Sequence, residues 1–425
     1  MRDQKFTHAE VYRAARLSVA PMMDWTDRHC RYLHRLLSRD TLLYTEMVTA
    51  PALVRGGALH LLDHDPSEHP VALQLGGSDP AELAQAARLG ADAGYDEINL
   101  NCGCPSDRVQ SGAFGAVLMQ QPGLVADCVD AMRAACDVEV TVKCRIGVDD
   151  QNPEEILPEF LARIVAAGCT RVTIHARKAW LQGLSPKENR DIPPLDYDLV
   201  HQMKGLFPNL HISVNGGVTS LDQAEAFLDA GLDGVMVGRS AYHAPTDILA
   251  SADRRIYGRG ADSSAKAAVE GMLPYIEAHL ASGGRLGQIT RHMLGLFAGR
   301  PGARQWRRIL SEGAHKPGAG PELVEAALAE VAAAQEIAAA GCDSPVKERP
   351  GQRDGKATRH HLQCAAQRRG QPGNIAVIVQ RYDHQCRHHN AKAGIGAKQP
   401  RHHQIEARIG CQRRDKDRGR EEDEA

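Results

Sequence analysis

A short segment with the sequence N-C-G-C-P, residues 101–105, follows an apolar run that is typical of a β-strand. Its Gly-Cys-Pro portion must turn, which places Cys104 on a loop. A free thiol has a pKa of about 8.5, so it is mostly protonated at neutral pH and can act as a general acid. Cys102 and Cys104 could instead belong to a metal site, but no Cys-x-x-Cys group completes four ligands, so no metal is expected.

Two other polar residues interrupt or end strand-like runs. Lys143 lies inside the run Val138–Arg145, where a lysine is costly to bury unless it is paired or useful. It either extends to the rim of the fold or serves as a fixed cation beside a cofactor that becomes electron-rich, such as a reduced flavin. His175 ends a later run and has two interpretations as well, because a histidine there can simply satisfy a core carbonyl.

Glycines follow two further runs directly, each before a predicted helix. Asn215 is followed by Gly216 and Gly217, and Gly238 is followed by Arg239. Glycine lets backbone N–H groups approach a phosphate, the helix end adds partial positive charge, and an arginine adds a charged contact. Either glycine loop alone could be a tight turn, but the two together favour a phosphate site.

The elements that position these residues follow a regular pattern. Eight nearly continuous apolar runs alternate with segments of helical spacing over about 250 residues, which favours a (β/α)8 TIM barrel of class α/β. The chain lacks the glycine fingerprints of an open nucleotide-binding sheet. The carboxyl ends of barrel strands share one mouth, so the candidate residues should meet there. The predicted strands are Leu17–Met22, Leu42–Val48, Pro70–Leu75, Glu97–Asn101, Val138–Arg145, Arg171–Ala176, His211–Asn215 and Gly234–Gly238.

The β pattern stops after about residue 260, and four helices are predicted instead. We therefore expect a barrel domain over residues 1–255 and a small all-α helical domain over residues 256–342. The predicted helices are Ala265–Leu280, Arg285–Ala298, Ala303–Ser311 and Pro321–Ala340.

Residues 343–425 differ in composition, being rich in Gln, Arg, His and Gly without apolar periodicity. This region has 18 Lys/Arg against 11 Asp/Glu, so residues 1–342 have a net charge of −9 within a total of −2. We expect a disordered tail, or a segment translated from a shifted reading frame. Any nucleic-acid contact by the rest of the chain must come from local basic patches rather than from its overall charge.

Length and composition limit the class of protein. The chain has 425 residues, of which 43% are apolar, enough for a full-sized core. No window approaches the roughly 18 consecutive apolar residues of a membrane helix, and residues 1–10 are too polar for a signal peptide. We therefore expect a cytoplasmic protein in which the eleven cysteines form no disulfide framework.

Long runs of residues resemble those of the tRNA-dihydrouridine synthases, and within them subfamily A. The resemblance covers about residues 15–340. It departs from the family at Cys102, where valine is usual, and after residue 342, where the family has no counterpart. The matching runs are Ser18–Cys30, Gln74–Pro80, Asp96–Gln110, Gly183–Pro194 and Arg291–Phe297.

The resemblance implies a barrel that binds flavin mononucleotide (FMN) and a set of site residues. It places Cys104 as the active cysteine and Asn101 against the substrate base. The implied FMN residues are Pro21, Met22 and Met23 along the flavin, Gln74 and Lys143 on its ring, and His175, Asn215, Gly216, Gly217, Gly238 and Arg239 at the ring side and phosphate. The implied tRNA contacts are Lys187, Arg190, Arg304 and Arg307.

The resemblance further implies reduction of the C5=C6 bond of a uridine in the tRNA D-loop, around position 20, to 5,6-dihydrouridine. NADPH would be the reductant, hydride would arrive at C6 from reduced flavin, and Cys104 would protonate C5. No membrane contact or obligate protein partner is expected, and we expect a monomer. Two alternatives remain open: a barrel flavoprotein that reduces a free pyrimidine or small enone, and a non-catalytic tRNA-binding chaperone.

Overall fold

The computed structural model describes residues 6–106 and 112–342. Eight parallel strands form one sheet in the order β1-β8-β7-β6-β5-β4-β3-β2. Backbone hydrogen bonds from Leu42 to Leu17 and from Val19 to Leu42 join the two outermost strands and close the barrel, which confirms the predicted architecture. The strands are β1 Leu17–Val19, β2 Leu43–Thr49, β3 Val71–Gly76, β4 Glu97–Cys102, β5 Glu139–Arg145, β6 Arg171–His175, β7 His211–Asn215 and β8 Gly234–Val237.

Helices follow the strands, and a further group follows the last strand. Asp79 and Ser220 cap two of them by accepting hydrogen bonds from the backbone N–H groups of Glu82 and Gln223. The helices are α1 His8–Ala14, α2 Arg28–Leu37, α3 Ala50–Val54, α4 Pro80–Asp92, α5 Pro122–Ala135, α6 Pro153–Ala166, α7 Tyr197–Leu206, α8 Leu221–Asp229, α9 Arg239–His243, α10 Pro245–Leu249, α11 Ala252–Tyr257, α12 Ala265–Ala281, α13 Leu286–Met293, α14 Ala303–Gly313 and α15 Pro321–Cys342, with short 3₁₀ turns at Leu59–Leu62, Pro66–Glu68, Gly115–Gln120 and Glu188–Arg190.

Most predicted boundaries differ from the structure by no more than two residues, but two elements end at least three residues earlier than predicted. Strand β1 ends at Val19 rather than Met22, since Pro21 has no N–H group to donate to the sheet. Helix α13 ends at Met293 rather than Ala298, and a series of turns follows. Gly295 lies in these turns and packs closely against the backbone of His243. A larger residue at this position would place its Cβ atom 2.5 Å from the carbonyl oxygen of His243.

Strand β4 shows how the barrel wall separates two environments. Ile98 and Leu100 are buried in the hydrophobic layer between the sheet and the helices. Glu97, Asn99 and Asn101 point the other way and form hydrogen bonds with side chains of other strands inside the barrel. The barrel interior is therefore strongly polar in its central part.

The amino-terminal helix α1 packs at the end of the barrel opposite the mouth. Val11 and Ala14 belong to a small apolar cluster with side chains of β2, β3 and β8. The ring of Tyr12 lies 5.6 Å from the guanidinium carbon of Arg171 on β6. This contact places an aromatic face against a buried arginine at the base of the interior.

The helices after β8 pack against the barrel through α2. Asp27 caps α2 by accepting from the N–H groups of His29 and Cys30, and its other oxygen lies 2.5 Å from Arg291 and 3.0 Å from His292, both on α13. Burial opposes ionisation of Asp27, but these two partners and the cap hold its pKa well below the usual range. One carboxylate thus joins the two parts of the molecule.

The described residues form a single compact unit, so the division into domains at residue 255 stays a prediction. Residues 343–425, for which a tail is predicted, lie outside the described residues. Among the residues the structure covers, no helix is long and apolar enough to cross a membrane.

Candidate active site

The loop after β4 presents Cys104 at the barrel mouth. Asn101 holds this loop, because its Oδ1 accepts hydrogen bonds from the backbone N–H groups of Gly103 (3.1 Å) and Cys104 (3.0 Å). The Cys104 thiol is half-buried and lies 3.5 Å from the hydroxyl of Ser106. Cys102, by contrast, is fully buried on the outer side of the barrel wall, where burial raises the pKa of its thiol far above the usual value. Cys104 is therefore the accessible thiol of the pair.

Lys143 pairs with Asn101 in the register of β4 and β5, which places it beside the Cys104 loop. Burial, and then the neighbouring Arg145, lower the pKa of Lys143 to about 8. The ammonium group has no hydrogen-bond or ion-pair partner within residues 6–106 and 112–342. It is a costly cation whose charge no protein group in this part of the chain compensates.

His175 ends β6 on the same side of the barrel and is buried, with only 8% of its surface exposed. Its Nε2 atom has no hydrogen-bond partner among the described residues. Burial, reinforced by Arg145 and Lys143, keeps its pKa well below the usual value, so the ring is neutral at pH 7. A buried ring nitrogen without a partner indicates that another group is meant to bond it.

The glycines after β7 lie against His175. Gly216 and Gly217 have φ angles of +107° and +73°, which favour glycine. A Cβ atom on Gly216 would lie 2.7 Å from the His175 ring, and one on Gly217 would lie 2.6 Å from the hydroxyl of Tyr197. That hydroxyl donates to the carbonyl of Gly216 (2.7 Å), so the backbone of this turn is fixed.

The glycine after β8 begins helix α9 and faces the end of β1. A Cβ atom on Gly238 would lie 3.8 Å from the sulfur of Met22, which places that side chain next to the turn. Arg239 forms a 2.8 Å ion pair with Asp191 across the mouth. Asn215 is not free toward the mouth, because its Nδ2 donates to the carbonyl of Met236 and ties β7 to β8.

The remaining predicted FMN residues lie around these groups. Gln74, on β3, is buried and hydrogen-bonds both Asn99 and Asn101. Pro21 is half-buried, whereas Met23 is 55% exposed. The structure therefore brings the predicted ring and phosphate residues to one mouth, with Met23 at its edge.

Arg145 connects the Cys104 loop to the predicted tRNA loop. Its guanidinium group donates to the carbonyls of Gly103 (3.1 Å), Lys178 (3.1 Å) and Asn189 (2.9 Å). Asn189 is fully buried and bonds both the N–H and the carbonyl of Trp180. Burial lowers the pKa of Arg145 only to about 10, so the guanidinium group that joins the two loops stays charged at neutral pH.

The predicted tRNA residues occupy two places. Lys187 and Arg190 reach the surface on the loop that Asn189 organises. The guanidinium group of Arg190 is partly shielded from water, and this desolvation, followed by the charge of Arg239, lowers its pKa. Arg304 and Arg307 are exposed on α14, without ion-pair partners in the described parts of the chain. The first pair therefore lies near the mouth, and the second pair lies on the helices beyond the barrel.

The mouth fits an anionic cofactor with a phosphate group, such as FMN. It offers an unpartnered imidazole nitrogen, an uncompensated ammonium group and glycine turns whose backbone no Cβ covers. No group of three or more His, Cys, Asp or Glu side chains in residues 6–106 and 112–342 could hold a metal ion.

The fold and the mouth define a (β/α)8-barrel protein with a thiol and several cations at the carboxyl ends of its strands, where barrel enzymes have their active sites. A family model described as "Dihydrouridine synthase (Dus)" matches residues 18–333. The chain therefore belongs to the dihydrouridine synthase family.

The chain aligns with nearly the full length of two similar proteins. A protein of Vibrio cholerae named "tRNA-dihydrouridine(20/20a) synthase" is 60% identical over 320 residues, 75% of this chain and 97% of that protein. An Escherichia coli K12 protein of the same name is 60% identical over 325 residues, 76% of this chain and 93% of that protein. Among solved structures, an old yellow enzyme homologue from Zymomonas mobilis aligns with a TM-score of 0.43 and 13% identity over 58% of this chain and 90% of that one, too little similarity to inform the site.

Sequence reasoning gave no role to several residues that organise the mouth. Arg145 and Asn189 fix the two loops, and Glu97, Asn99 and Thr141 fill the interior beneath them. A signal for the interior group was present, since polar residues alternate with apolar ones at positions 97–102. No comparable signal marked Asn189, which lies in an irregular loop.

Proposed function

We propose that the protein reduces the C5=C6 bond of a uridine in the D-loop of tRNA, around position 20, to 5,6-dihydrouridine, with FMN as cofactor and NADPH as reductant. Membership of the dihydrouridine synthase family and the name of the 60% identical relatives support this proposal. The observation that carries the chemistry is the half-buried Cys104 thiol on a loop fixed at the barrel mouth.

Several residues would hold the cofactor. His175 would offer its unpartnered ring nitrogen to the flavin ring, and Lys143 would offer a cation to the same ring. Gln74, on β3, would bond the ring as well. The turns at Gly216–Gly217 and Gly238 would present backbone N–H groups to the phosphate, with Arg239 beside them. When bound, reduced FMN supplies the hydride that arrives at C6 of the uracil ring.

The role of Cys104 follows from the electronic structure of the substrate. The uracil alkene is electron-poor at C6, so the addition leaves negative charge toward C5 and the adjacent carbonyl, and a proton must reach C5. Cys104 would donate this proton from Sγ and so act as the general acid. Lys143 and Arg145, which flank the loop, keep the local field positive and so favour the developing charge.

The exposed cations favour tRNA over a free pyrimidine as substrate. Lys187 and Arg190 lie on the loop that Arg145 joins to Cys104, and Arg304 and Arg307 lie on α14. A small substrate requires none of these side chains, whereas a phosphate backbone binds such cations. We expect the protein to act as a cytoplasmic monomer.

The test is complementation of a bacterial strain that lacks all dihydrouridine. Expression of the protein should restore dihydrouridine in the tRNA D-loop around position 20, mapped by chemical tRNA sequencing. Cys104→Ala is the matched negative variant, and Cys136→Ala, another half-buried thiol away from the mouth, is the matched positive one. Absence of dihydrouridine with well-expressed, flavin-loaded protein would refute the proposal.

A further inference from the structure

We propose that Glu97, buried inside the barrel, is a positioning residue for Cys104. It begins a chain of five side chains, joined by four hydrogen bonds that all have the same direction, and this chain ends at Asn101. The chain, named here the interior relay, consists of Glu97, Thr141, Asn99, Gln74 and Asn101. The inference rests on the proposed function only for its effect on catalysis, since the geometry of the relay is independent of it.

The relay begins at a carboxylate that can only accept hydrogen bonds. Glu97 is fully buried, and its Oε2 lies 2.6 Å from Arg171 on β6. Its Oε1 accepts from the hydroxyl of Tyr44 at 2.7 Å and also from the hydroxyl of Thr141. Glu97 faces the guanidinium group of Arg171, which can only donate, and it accepts from both hydroxyl groups.

That anchor determines the direction of each following bond. Thr141 has one hydroxyl proton and gives it to Glu97, so its oxygen must accept from the Asn99 Nδ2 group at 2.8 Å. The Asn99 Oδ1 atom then accepts from Gln74 Nε2 at 2.8 Å. Gln74 Oε1 in turn accepts from Asn101 Nδ2 at 2.8 Å. Each amide therefore has one orientation that satisfies both of its neighbours.

The last amide controls the Cys104 loop. With its Nδ2 group committed to Gln74, Asn101 must turn its oxygen toward the loop, where it accepts from the N–H groups of Gly103 (3.1 Å) and Cys104 (3.0 Å). A flipped Asn101 would place NH₂ against two N–H donors, which is repulsive. The charge at Glu97 thus fixes an acceptor beneath the thiol, although no atom of Glu97 touches the loop.

The test removes the Thr141 hydroxyl group, and with it two hydrogen bonds of the interior relay. Thr141→Val keeps the shape but removes the donor and acceptor, whereas Thr141→Ser keeps both and is the matched control. The first measurement is the rate at which iodoacetamide alkylates Cys104 in the flavin-loaded protein without tRNA, followed by mass spectrometry of its peptide. The second is kcat and KM for uridine reduction in unmodified tRNA.

We expect alkylation of Cys104 to become about tenfold faster in Thr141→Val, which corresponds to about 1.4 kcal/mol of loop stabilisation. We also expect kcat to fall by about tenfold with an unchanged KM for tRNA, while Thr141→Ser stays within about twofold of wild type. If Thr141→Val does not fold, Asn99→Leu cuts the next bond of the relay and should give the same pattern.

Two results would overturn the inference: wild-type alkylation and kcat in the cut variants, or equal effects of Thr141→Val and Thr141→Ser, which would trace them to packing. A wild-type protein that makes no dihydrouridine would instead contradict the proposed function. The alkylation rates would still decide whether the relay positions the thiol.

Discussion

Replacing Lys143 by methionine should stabilise the flavin-free protein and weaken flavin binding. Burial and Arg145 lower the pKa of Lys143 from 10.5 to about 8. At about 1.4 kcal/mol for each pKa unit, the charged lysine costs about 3 kcal/mol. Because the side chain keeps part of its surface at the mouth, which lessens this cost, we expect Lys143→Met to raise the free energy of unfolding by about 1–3 kcal/mol at pH 7.

The pH dependence of this gain has a definite sign. Between the folded-state pKa of about 8 and the ordinary value of 10.5, the unfolded chain binds more protons at Lys143 than the folded chain does. Wild-type stability therefore rises with pH through this window. The penalty is fully present below it and disappears above it, so the advantage of Lys143→Met should shrink as the pH is raised from 7 to 10.

Urea unfolding followed by circular dichroism at pH 7, 8.5 and 10 measures this difference, and fluorescence titration measures flavin affinity. Lys187→Met, at an exposed lysine, is the matched control and should change neither quantity. A Lys143→Met protein that is no more stable than wild type at pH 7 would refute the reasoning. So would a gain that does not depend on pH, or unchanged flavin affinity.

Three further predictions concern the thiol, the tRNA loop and the contact between barrel and helices. Cys104→Ala should keep flavin and tRNA binding but lower the rate of uridine reduction by about 10²–10⁴; full activity there, with loss in Cys102→Ala, would assign the acid to the other thiol. Exchanging Lys187 and Arg190 for glutamine should weaken tRNA binding and reduce its logarithmic salt slope by about 1–2, with NADPH oxidation by oxygen unchanged; a parallel fall in both activities would make them structural. Asp27→Asn keeps the helix cap but removes the charge, so it should cost about 1.5–3 kcal/mol of stability at pH 7. Because the folded-state pKa of Asp27 is depressed well below its ordinary value of 3.8, that difference should begin to shrink only as the pH falls below about 4 and should be lost only where folded Asp27 itself takes up a proton; an equal loss at pH 2 and pH 7 would contradict the assignment to charge.

Much of the barrel could be predicted from sequence, since mostly apolar runs such as Pro70–Leu75 and Gly234–Gly238 form strands that are buried on both faces. The strand ends then placed Cys104, Lys143 and His175 at one mouth without knowledge of any contact. The boundary at Pro21 was missed because the run of apolar residues continues past the last residue that can donate to the sheet.

The organisation of the mouth could not be predicted in the same way. Arg145 contacts carbonyl groups that lie 33, 42 and 44 positions away in the chain, and no local pattern encodes such pairs. The orientation of the Asn101 amide likewise depends on Gln74 and Thr141, which lie on two other strands, β3 and β5. The greater accessibility of Cys104 could have been predicted from the sequence. Strict alternation along β4 places Cys102 on the outer face of the barrel wall, whereas Cys104 follows the strand.

The polar barrel interior has a consequence for protein engineering. Substituting well-packed aliphatic side chains for a buried ion pair such as that of Glu97 and Arg171 is often neutral or favourable for stability. Laboratory evolution for heat resistance alone would therefore be free to remove these charges. Libraries screened only for melting temperature should accumulate robust barrels with a poorly aligned thiol, so selection for turnover must accompany every round.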